Sequence, residues 1–326
     1  MSLFQFYLKV IMKNSNQKQL IAVTGFTCNN NCVLCSLRPQ ALIHNNKSTQ
    51  EIEVMLASAA KEGLSAVEFT GGEPTLRKDL LHLICYAKNI GFRNIAIGTN
   101  GRLLSYKVFL NNLISAGLNK ITLTLFSHKE LIHDSITRTP GSFKQTVTAI
   151  NNIIQEPSIQ LSVNTTVCQL NYALLNETGI FLYKAGVKHW GVLDLIPFGN
   201  ADKLYISLVV KLDELYIALN KLENIVGYFQ SVSFFDFSHC LFNKKIRSHL
   251  NIRFFDAQER VHTFKQIGYR PARFSVKKKD IYSDVHKRHI AICENCHYNK
   301  NCAGFWQNYL HLYGESFKAQ VIKKAL

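Results

Sequence analysis

The chain has 326 residues, of which 47% are hydrophobic and 18% charged, so it belongs among globular proteins rather than disordered or low-complexity ones. This length allows one large domain with an appendage, or two ordinary domains. The 38 Lys and Arg residues exceed the 22 Asp and Glu residues by 16, which favours an anionic partner. No apolar run approaches the roughly 18–20 residues that cross a bilayer, so neither a membrane segment nor a signal peptide is predicted.

Strands and helices alternate along the first part of the chain. The apolar patterns predict strands over 19–26, 65–70, 94–99, 121–126, 159–167 and 189–196. Helices are predicted between them, one opened by a capping box of Ser48 and Glu51 and a later one by a box of Ser142 and Gln145. This alternation is typical of a parallel sheet, and we predict an α/β fold, a partial (β/α)6 barrel whose ligands bind at the C-terminal strand ends.

The pattern changes after residue 200. A helix is predicted over 212–226, and the alternating aromatic stretch over 229–242 is predicted to form a hairpin. A basic patch over 277–279 and a group of cysteines follow. We therefore divide the chain into an N-terminal extension (1–19), a core domain (20–227) and a small α+β C-terminal domain (228–326).

Six of the nine cysteines lie in two tight groups, which argues for metal binding rather than for disulfides. Cys28, Cys32 and Cys35 form the first group, directly after the first predicted strand. Soft thiolates select zinc, copper(I) or iron–sulfur clusters, and three thiols leave one iron of a [4Fe–4S] cluster without a protein ligand. A zinc site is the alternative, although it usually shows paired CxxC halves.

The CxxxCxxC loop, followed by Gly71, Gly72, Glu73 and Pro74 at the end of the second strand, resembles the radical S-adenosylmethionine (SAM) superfamily. The resemblance implies that the three cysteines hold a [4Fe–4S] cluster whose remaining iron is chelated by the amino and carboxylate groups of SAM. It further implies cleavage of SAM to a 5′-deoxyadenosyl radical that abstracts hydrogen from a substrate. The loop of residues 71–74 is assigned to the SAM amino group, and its two glycines allow close backbone approach to a ligand.

Later strand ends carry further candidate SAM contacts. Thr99 and Asn100 follow the third strand and Ser127 follows the fourth, at positions that resemble those where family members contact the SAM ribose or carboxylate. Arg138 is a candidate bidentate partner of the SAM carboxylate. Turn chemistry is the alternative for Asn100 and Gly101, because Asn-Gly is a strong turn signal, and Arg138 is equally well explained as a surface arginine.

The second group consists of Cys293, Cys296 and Cys302 in a CxxCx5CxG pattern. This pattern resembles the auxiliary-cluster extension of radical SAM enzymes, called SPASM in its long form and twitch in its short form. With Cys240 as the fourth ligand, it implies one auxiliary [4Fe–4S] cluster. In the alternative, Cys240 stays free as a hydrogen donor, with Asp236 nearby as a base.

Three further residues are singled out by position. Asp194, at the end of the sixth predicted strand, is a candidate catalytic residue that faces the cavity. Cys85 falls in an apolar helical pattern and is predicted to pack in the core. Cys168 ends the fifth strand, and a catalytic role is kept open for it.

These features predict a radical SAM enzyme that oxidises, crosslinks or epimerises a peptide or protein side chain. The extension resembles that of peptide maturases, and the basic charge suits an acidic leader peptide. Against this, only 27 residues precede Cys28, fewer than an N-terminal peptide-recognition domain needs. The alternatives are reaction on a small molecule, such as a sugar alcohol or a cofactor precursor of molybdopterin-type biosynthesis, and an iron–sulfur electron-transfer protein without SAM chemistry.

The cofactors also predict partners and location. A reductant such as flavodoxin or ferredoxin is expected, and oxygen-sensitive clusters imply a reducing, cytoplasmic location. No membrane or nucleic-acid partner is predicted, because basic charge alone is not recognition.

Overall fold

A computed structural model describes residues 19–37, 45–255 and 287–315. Its main element is a sheet of eight parallel strands, in which every strand pairs with the next one in chain order. The strands are β1 (Gln19–Val23), β2 (Ala66–Thr70), β3 (Asn94–Thr99), β4 (Lys120–Thr124), β5 (Gln160–Thr166), β6 (His189–Leu193), β7 (Ser231–Phe235) and β8 (Ile252–Phe255). The sheet curls into a half barrel, which confirms the α/β prediction and adds two strands to the six expected.

Helices connect the strands. The longer ones are α1 (Thr49–Lys61), α2 (Leu80–Asn89), α3 (Lys107–Ala116), α4 (Glu130–Thr137), α5 (Ser142–Ile154), α6 (Leu175–Lys184), α9 (Leu212–Lys221) and α11 (Gln307–Tyr313). Single turns form α7 (Asn200–Lys203), α8 (Tyr205–Leu208) and α10 (Lys244–Arg247). None of the helices in the described residues is long and apolar enough to cross a membrane.

The two faces of the sheet differ in chemistry because side chains alternate along each strand. On β2, Val67 and Phe69 are fully buried in the hydrophobic core that includes the helices. Glu68 and Thr70 lie on the other face and are half-buried. On β5 the same alternation leaves Asn164 half-buried beside buried neighbours. The curled sheet therefore packs one apolar face under the helices and leaves a polar face inside the half barrel.

The first predicted capping box is confirmed at the start of α1. The Ser48 hydroxyl oxygen accepts from the Glu51 backbone N–H at 3.2 Å, and the Glu51 carboxylate accepts from the Ser48 N–H at 2.7 Å. Each bond satisfies a backbone donor that the helix start leaves free.

The second predicted capping box is wrong. Gly141, not Ser142, precedes α5, and the Ser142 hydroxyl donates to the Asp134 carboxylate at 2.7 Å. The same carboxylate accepts from the backbone N–H groups of Gly141 (2.7 Å) and Phe143 (2.8 Å). A carboxylate from α4 thus caps α5, and Gln145 is free to bind elsewhere.

The predicted hairpin over 229–242 is also wrong. Its alternating half is β7, which pairs in parallel with β6 and β8. Alternation identifies a strand but does not identify its partner. After β7 the chain turns at Asp236, which has a left-handed φ of 65°, into a short turn over His239–Leu241. The sheet thus runs across the proposed domain boundary at 227/228, which stays a prediction.

The C-terminal segment forms a small separate sheet. Strand β9 (Lys287–Arg288) pairs antiparallel with β10 (Phe305–Trp306), and α11 follows at once. The predicted basic patch over 277–279 lies outside the described residues, as does nearly all of the proposed N-terminal extension.

Candidate functional site

The first cysteine loop, residues 24–36, follows β1 and carries three half-buried thiols, those of Cys28, Cys32 and Cys35. The end of α4 holds the middle of this loop. The Asn31 N–H donates to the Thr137 carbonyl at 3.0 Å, and the Val33 N–H donates to the Ile136 carbonyl at 2.9 Å. These bonds fix the loop backbone on either side of Cys32.

A second contact reaches the loop from the far side of the half barrel. Asn200, the first residue of α7, donates its backbone N–H to the Cys35 carbonyl and its Nδ2 to the Cys32 carbonyl, both at 3.0 Å. Gly199 has a φ of 65°, and a Cβ there would lie 2.6 Å from the Cys35 carbonyl oxygen. This contact is not predictable from the sequence, because a Gly-Asn pair after a strand indicates only a turn.

The predicted glycine pair packs against the start of the cysteine loop. A Cβ on Gly71 would lie 2.3 Å from the Gly25 carbonyl oxygen, and one on Gly72 would lie 2.2 Å from the Thr27 carbonyl oxygen. The Gly72 N–H donates to the Gly25 carbonyl at 2.8 Å. Here the glycines let two protein backbones approach each other, while their contact with SAM stays a prediction.

Glu73 joins the glycine loop to the end of β3. Its buried carboxylate accepts from the Thr75 hydroxyl at 2.6 Å, the Thr99 hydroxyl at 2.7 Å and the Asn100 N–H at 2.7 Å. Burial raises the pKa of Glu73, and these hydrogen bonds act in the opposite direction. Pro74 is buried and begins a short turn. The side chains of Glu73 and Thr99 therefore belong to the framework that positions the loops.

Asn100 and Arg102 extend this framework to the cysteine loop. The Asn100 Nδ2 donates to the Asn29 Oδ1 at 2.7 Å, and the Arg102 Nη1 donates to the Asn29 carbonyl at 2.5 Å. The Arg102 Nε donates to the Gln145 Oε1 at 2.6 Å, which explains why Gln145 does not cap α5. Arg102 was not predicted as a site residue, and its place directly after the Thr-Asn-Gly strand end is the signal that the sequence offers for it.

Two other residues that are predicted to contact SAM, Ser127 and Arg138, differ in their exposure to solvent. Ser127 is fully buried, and its hydroxyl oxygen accepts from the Lys129 N–H at 3.1 Å. Arg138 is exposed and follows Thr137, whose carbonyl holds the cysteine loop. Arg138 is thus exposed to solvent directly after a residue that contacts the loop, whereas the Ser127 hydroxyl is enclosed by protein.

The three thiols fit an iron–sulfur cluster in their chemistry. Burial raises the pKa of Cys28, and burial with the neighbouring Cys35 and Cys28 thiols raises the pKa of Cys32 to about 12. Such thiols need a metal cation to become thiolates. The described residues hold no group of three or more His, Cys, Asp or Glu side chains able to bind a single metal ion. A cluster instead binds each thiolate through a different iron.

The second set of four cysteines is brought together from two parts of the chain. Cys240, after β7, lines one pocket with Cys293, Cys296 and Cys302. Burial, followed by the proximity of the other three thiols, raises the pKa of Cys240. Cys240 therefore lies within electrostatic reach of every other member of the set.

Asp194 and Asp236, both considered for catalysis, lie where the C-terminal segment meets the sheet. The Trp306 Nε1 donates to the Asp194 Oδ2 at 2.9 Å, and Lys287 donates to the Asp236 carbonyl. Burial raises the pKa of Asp194 to about 6, and the charge of Lys287 acts in the opposite direction. In these positions the two residues connect the C-terminal segment to the ends of β6 and β7.

The two remaining cysteines have different surroundings. Cys85 is exposed, so its predicted core packing is wrong. The buried positions of α2 are Leu80, Leu83, Ile84 and Ala87, and the next residue after Ile84 turns away from the core. Cys168 is fully buried in the main core, where burial raises its pKa to about 11.

The chain is similar in sequence to known proteins over about half of its length, and it is similar to solved structures in its fold. It is 28% identical over 172 residues to a probable GTP 3′,8-cyclase of Sulfurisphaera tokodaii, covering 53% of this chain and 54% of that protein. It is 26% identical over 179 residues to an AdoMet-dependent heme synthase of Oleidesulfovibrio alaskensis, covering 55% and 45%. Streptococcus suis SuiB bound to the precursor peptide SuiA matches in structure with a TM-score of 0.59 at 15% identity, covering 93% of this chain and 75% of that one.

These matches differ in what they establish. The chain spans about half the length of the curated relatives that it matches. At 15% identity the likeness to SuiB concerns the fold alone. The profile of the radical SAM superfamily, in contrast, matches residues 23–170, which contain the first cysteine set, the glycine pair and the end of β3. Over this region, a little under half of the chain, the protein matches the radical SAM superfamily.

Proposed function

We propose that the chain is a radical SAM enzyme that carries a second [4Fe–4S] cluster and modifies a peptide or protein side chain. The observation that carries this proposal is the placement of two cysteine sets. The first set follows β1 and Cys240 follows β7, and parallel strands end at one edge of a sheet. Three thiols at one place and four at another suit an open and a closed cluster.

The residues of the first site divide into ligands and supports. Bound there, a [4Fe–4S] cluster and SAM supply a one-electron cleavage that yields a carbon radical able to remove hydrogen from a substrate. Three thiolates leave one iron for SAM, and we assign the exposed Arg138 to the SAM carboxylate and the backbone of Gly71 and Gly72 to its amino group. Glu73 and Thr99 hold the loops that carry these contacts.

The second site is proposed to serve electron transfer. Four thiolates are as many as a [4Fe–4S] cluster takes, so Cys240 acts as a ligand and is not left free as a hydrogen donor. A closed cluster at the same edge of the sheet is suited to exchange electrons with the substrate or with a protein reductant such as flavodoxin or ferredoxin.

Two substrate classes have support. SuiB, which shares the fold, was crystallised with a precursor peptide, and a net charge of +16 suits an acidic peptide. Two relatives are named for reactions on small molecules, a GTP cyclase and a heme synthase. We favour the peptide because the structural match spans most of the chain, whereas the small-molecule relatives match about half of it.

The test is anaerobic reconstitution with iron and sulfide, reduction by dithionite, and mass spectrometry of 5′-deoxyadenosine after SAM is added. A library of acidic synthetic peptides and GTP form the two substrate arms. We expect some peptides to raise 5′-deoxyadenosine formation above the substrate-free rate and to change mass. Stimulation by GTP, with indifference to every peptide, would favour the small-molecule reaction. Loaded clusters without any 5′-deoxyadenosine would favour an electron-transfer protein.

A further inference from the structure

We propose that Asn200 is a positioning residue for the first cysteine set. It makes two hydrogen bonds to carbonyls of the cysteines themselves, through its backbone N–H to Cys35 and through its Nδ2 to Cys32. The Cys32 carbonyl also accepts from the Cys35 N–H at 3.2 Å. The Asn200 Nδ2 and the Cys35 N–H therefore donate to the same carbonyl and together hold the turn between the two cysteines.

The contact joins two loops at the C-terminal ends of the strands of the half barrel. The cysteines follow β1, whereas Asn200 follows β6, and four strands separate β1 from β6 in the sheet. Loops that follow such distant strands meet only because the sheet curls. Asn200 therefore makes the positions of two cluster ligands depend on how strongly the sheet curls. Hydrogen bonds within the cysteine loop alone do not create this dependence.

The chemistry of the site requires a donor of this length. Asparagine offers a side-chain N–H at short reach, whereas aspartate of the same size is an acceptor and faces the Cys32 carbonyl with a repulsive oxygen. Gly199 allows the approach, because a Cβ there would lie 2.6 Å from the carbonyl oxygens of both Cys35 and Ser36.

A matched control lies on the other side of the same short helix. Asn308 of α11 donates its Nδ2 to the Asp202 carboxylate of α7 at 3.0 Å. Asn308→Ala removes one hydrogen bond from α7 without touching the cysteine loop. It therefore separates a general loosening of α7 from loss of the contact with Cys32 and Cys35.

The experiment compares Asn200→Asp and Asn308→Ala with the parent protein as full-length, anaerobically reconstituted chains. Electron paramagnetic resonance of the dithionite-reduced protein is followed as SAM is added, and hydrogen–deuterium exchange is measured over residues 26–36. We expect Asn200→Asp to need about tenfold more SAM for the same spectral change, as the loss of one hydrogen bond of ordinary strength allows, and to exchange faster in this loop.

The control variant should match the parent in both measurements. Equal SAM titrations and equal exchange for Asn200→Asp would overturn the proposal. If Asn200→Asp does not fold, Asn200→Ser, which keeps the backbone donor and shortens the side chain, gives the same comparison. A SAM-responsive spectrum depends on the first site alone, so the result is independent of the second cluster and of the substrate class.

A separate observation concerns Arg247, at the end of α10. Its Nε and Nη1 atoms are buried, and no hydrogen-bond partner for them exists among the residues that the structure describes. Its guanidinium lies 4.9 Å from the ring centroid of Tyr298, which stands between Cys296 and Cys302 in the chain. A buried cation without an anion is costly, so an anion is expected nearby.

We infer that this anion is the cluster of the second cysteine set. Four thiolates outweigh the positive charge of a [4Fe–4S] core, so the bound cluster is net negative. His239, next to Cys240, stacks on the same Tyr298 ring at 5.3 Å, which places Arg247 beside the wall of the four-cysteine pocket. A cation there favours the reduced, more negative cluster and raises its reduction potential.

This second inference rests on the proposed auxiliary cluster, and its test separates the two. Arg247→Met is compared with Lys245→Met, an exposed cation of the same helix that pairs with Glu223 at 2.7 Å. Redox titration should show that the reduction potential of the second cluster is about 59 mV lower in Arg247→Met, which is a tenfold change in the equilibrium constant for one-electron reduction. The control should show a smaller change. A second cluster with unchanged potential would overturn the role of Arg247. Iron content that shows no second cluster in the parent would overturn the proposed cluster itself.

Discussion

The two cysteine sets are held in opposite ways. The first set lies in one loop, and hydrogen bonds from the end of α4, the end of β3 and Asn200 position that loop. The second set is assembled from Cys240 and a distant segment, and its pocket is lined by packed side chains such as Tyr298 and Phe305. A hydrogen-bonded loop with three thiols suits a site that exchanges a ligand, whereas a packed pocket with four thiols suits a permanent cluster.

The largest effect is expected at the first set. Cys32→Ala leaves only two of the three thiols of the first set, and we expect 5′-deoxyadenosine formation to fall below detection in mass spectrometry. Cys85→Ala, at an exposed thiol on α2, should keep the parent activity. Persistent product in Cys32→Ala would contradict the assignment of this loop.

A substitution in the second cysteine set should remove part of the bound iron. If Cys240 is the fourth ligand, Cys240→Ala should lower the iron content from about eight to about four per chain, because each cubane holds four irons. Colorimetric iron and sulfide analysis measures this, again with Cys85→Ala as the control. Unchanged iron would show that the other three cysteines hold the second cluster without Cys240, and would favour its alternative role as a hydrogen donor.

Asp194, which lies where the C-terminal segment meets the sheet, should make the free energy of unfolding depend on pH. Burial raises the pKa of Asp194 to about 6 from an ordinary value of 3.8. Between about pH 4 and pH 6 the Asp194 carboxyl holds a proton in the folded chain that it has released in the unfolded chain, so its contribution to the free energy of unfolding falls as pH rises. The full effect is about 3 kcal/mol.

Denaturant unfolding across this pH range measures the slope. Asp194→Asn should remove the part of the slope that Asp194 contributes, since the side chain no longer titrates, and Asp213→Asn on α9 should keep the slope of the parent. An equal slope in the parent and in Asp194→Asn would show that Asp194 does not titrate in this range.

Sequence patterns predicted the two sites to different depths. The spacing of Cys28, Cys32 and Cys35 predicted the first ligand set, which stays a prediction, and strand alternation located six of the eight strands. The patterns could not identify Asn200, because its role depends on the curl of a sheet that no local sequence describes. They also misjudged the stretch after residue 229, because alternation of side chains does not say whether the next strand is parallel or antiparallel.

The smallest effect is expected from the framework of the first site. Glu73→Gln keeps the size of the side chain but places an amide N–H against a group of donors that includes the Thr99 hydroxyl and the Asn100 N–H. Losing one buried hydrogen bond costs about 1–3 kcal/mol. We therefore expect Glu73→Gln to unfold at lower denaturant concentration and to bind SAM more weakly, while its cysteines still hold iron.

A matched carboxylate tests whether this effect belongs to the site. Glu53 on α1 pairs with His82 at 2.6 Å, on the helical side of the sheet, and Glu53→Gln should leave SAM binding unchanged. Calorimetric SAM titration of the two reconstituted variants makes the comparison. Equal affinities would mean that Glu73 stabilises the fold without positioning the ligand loops, and that the first cysteine set depends on α4 and Asn200 alone.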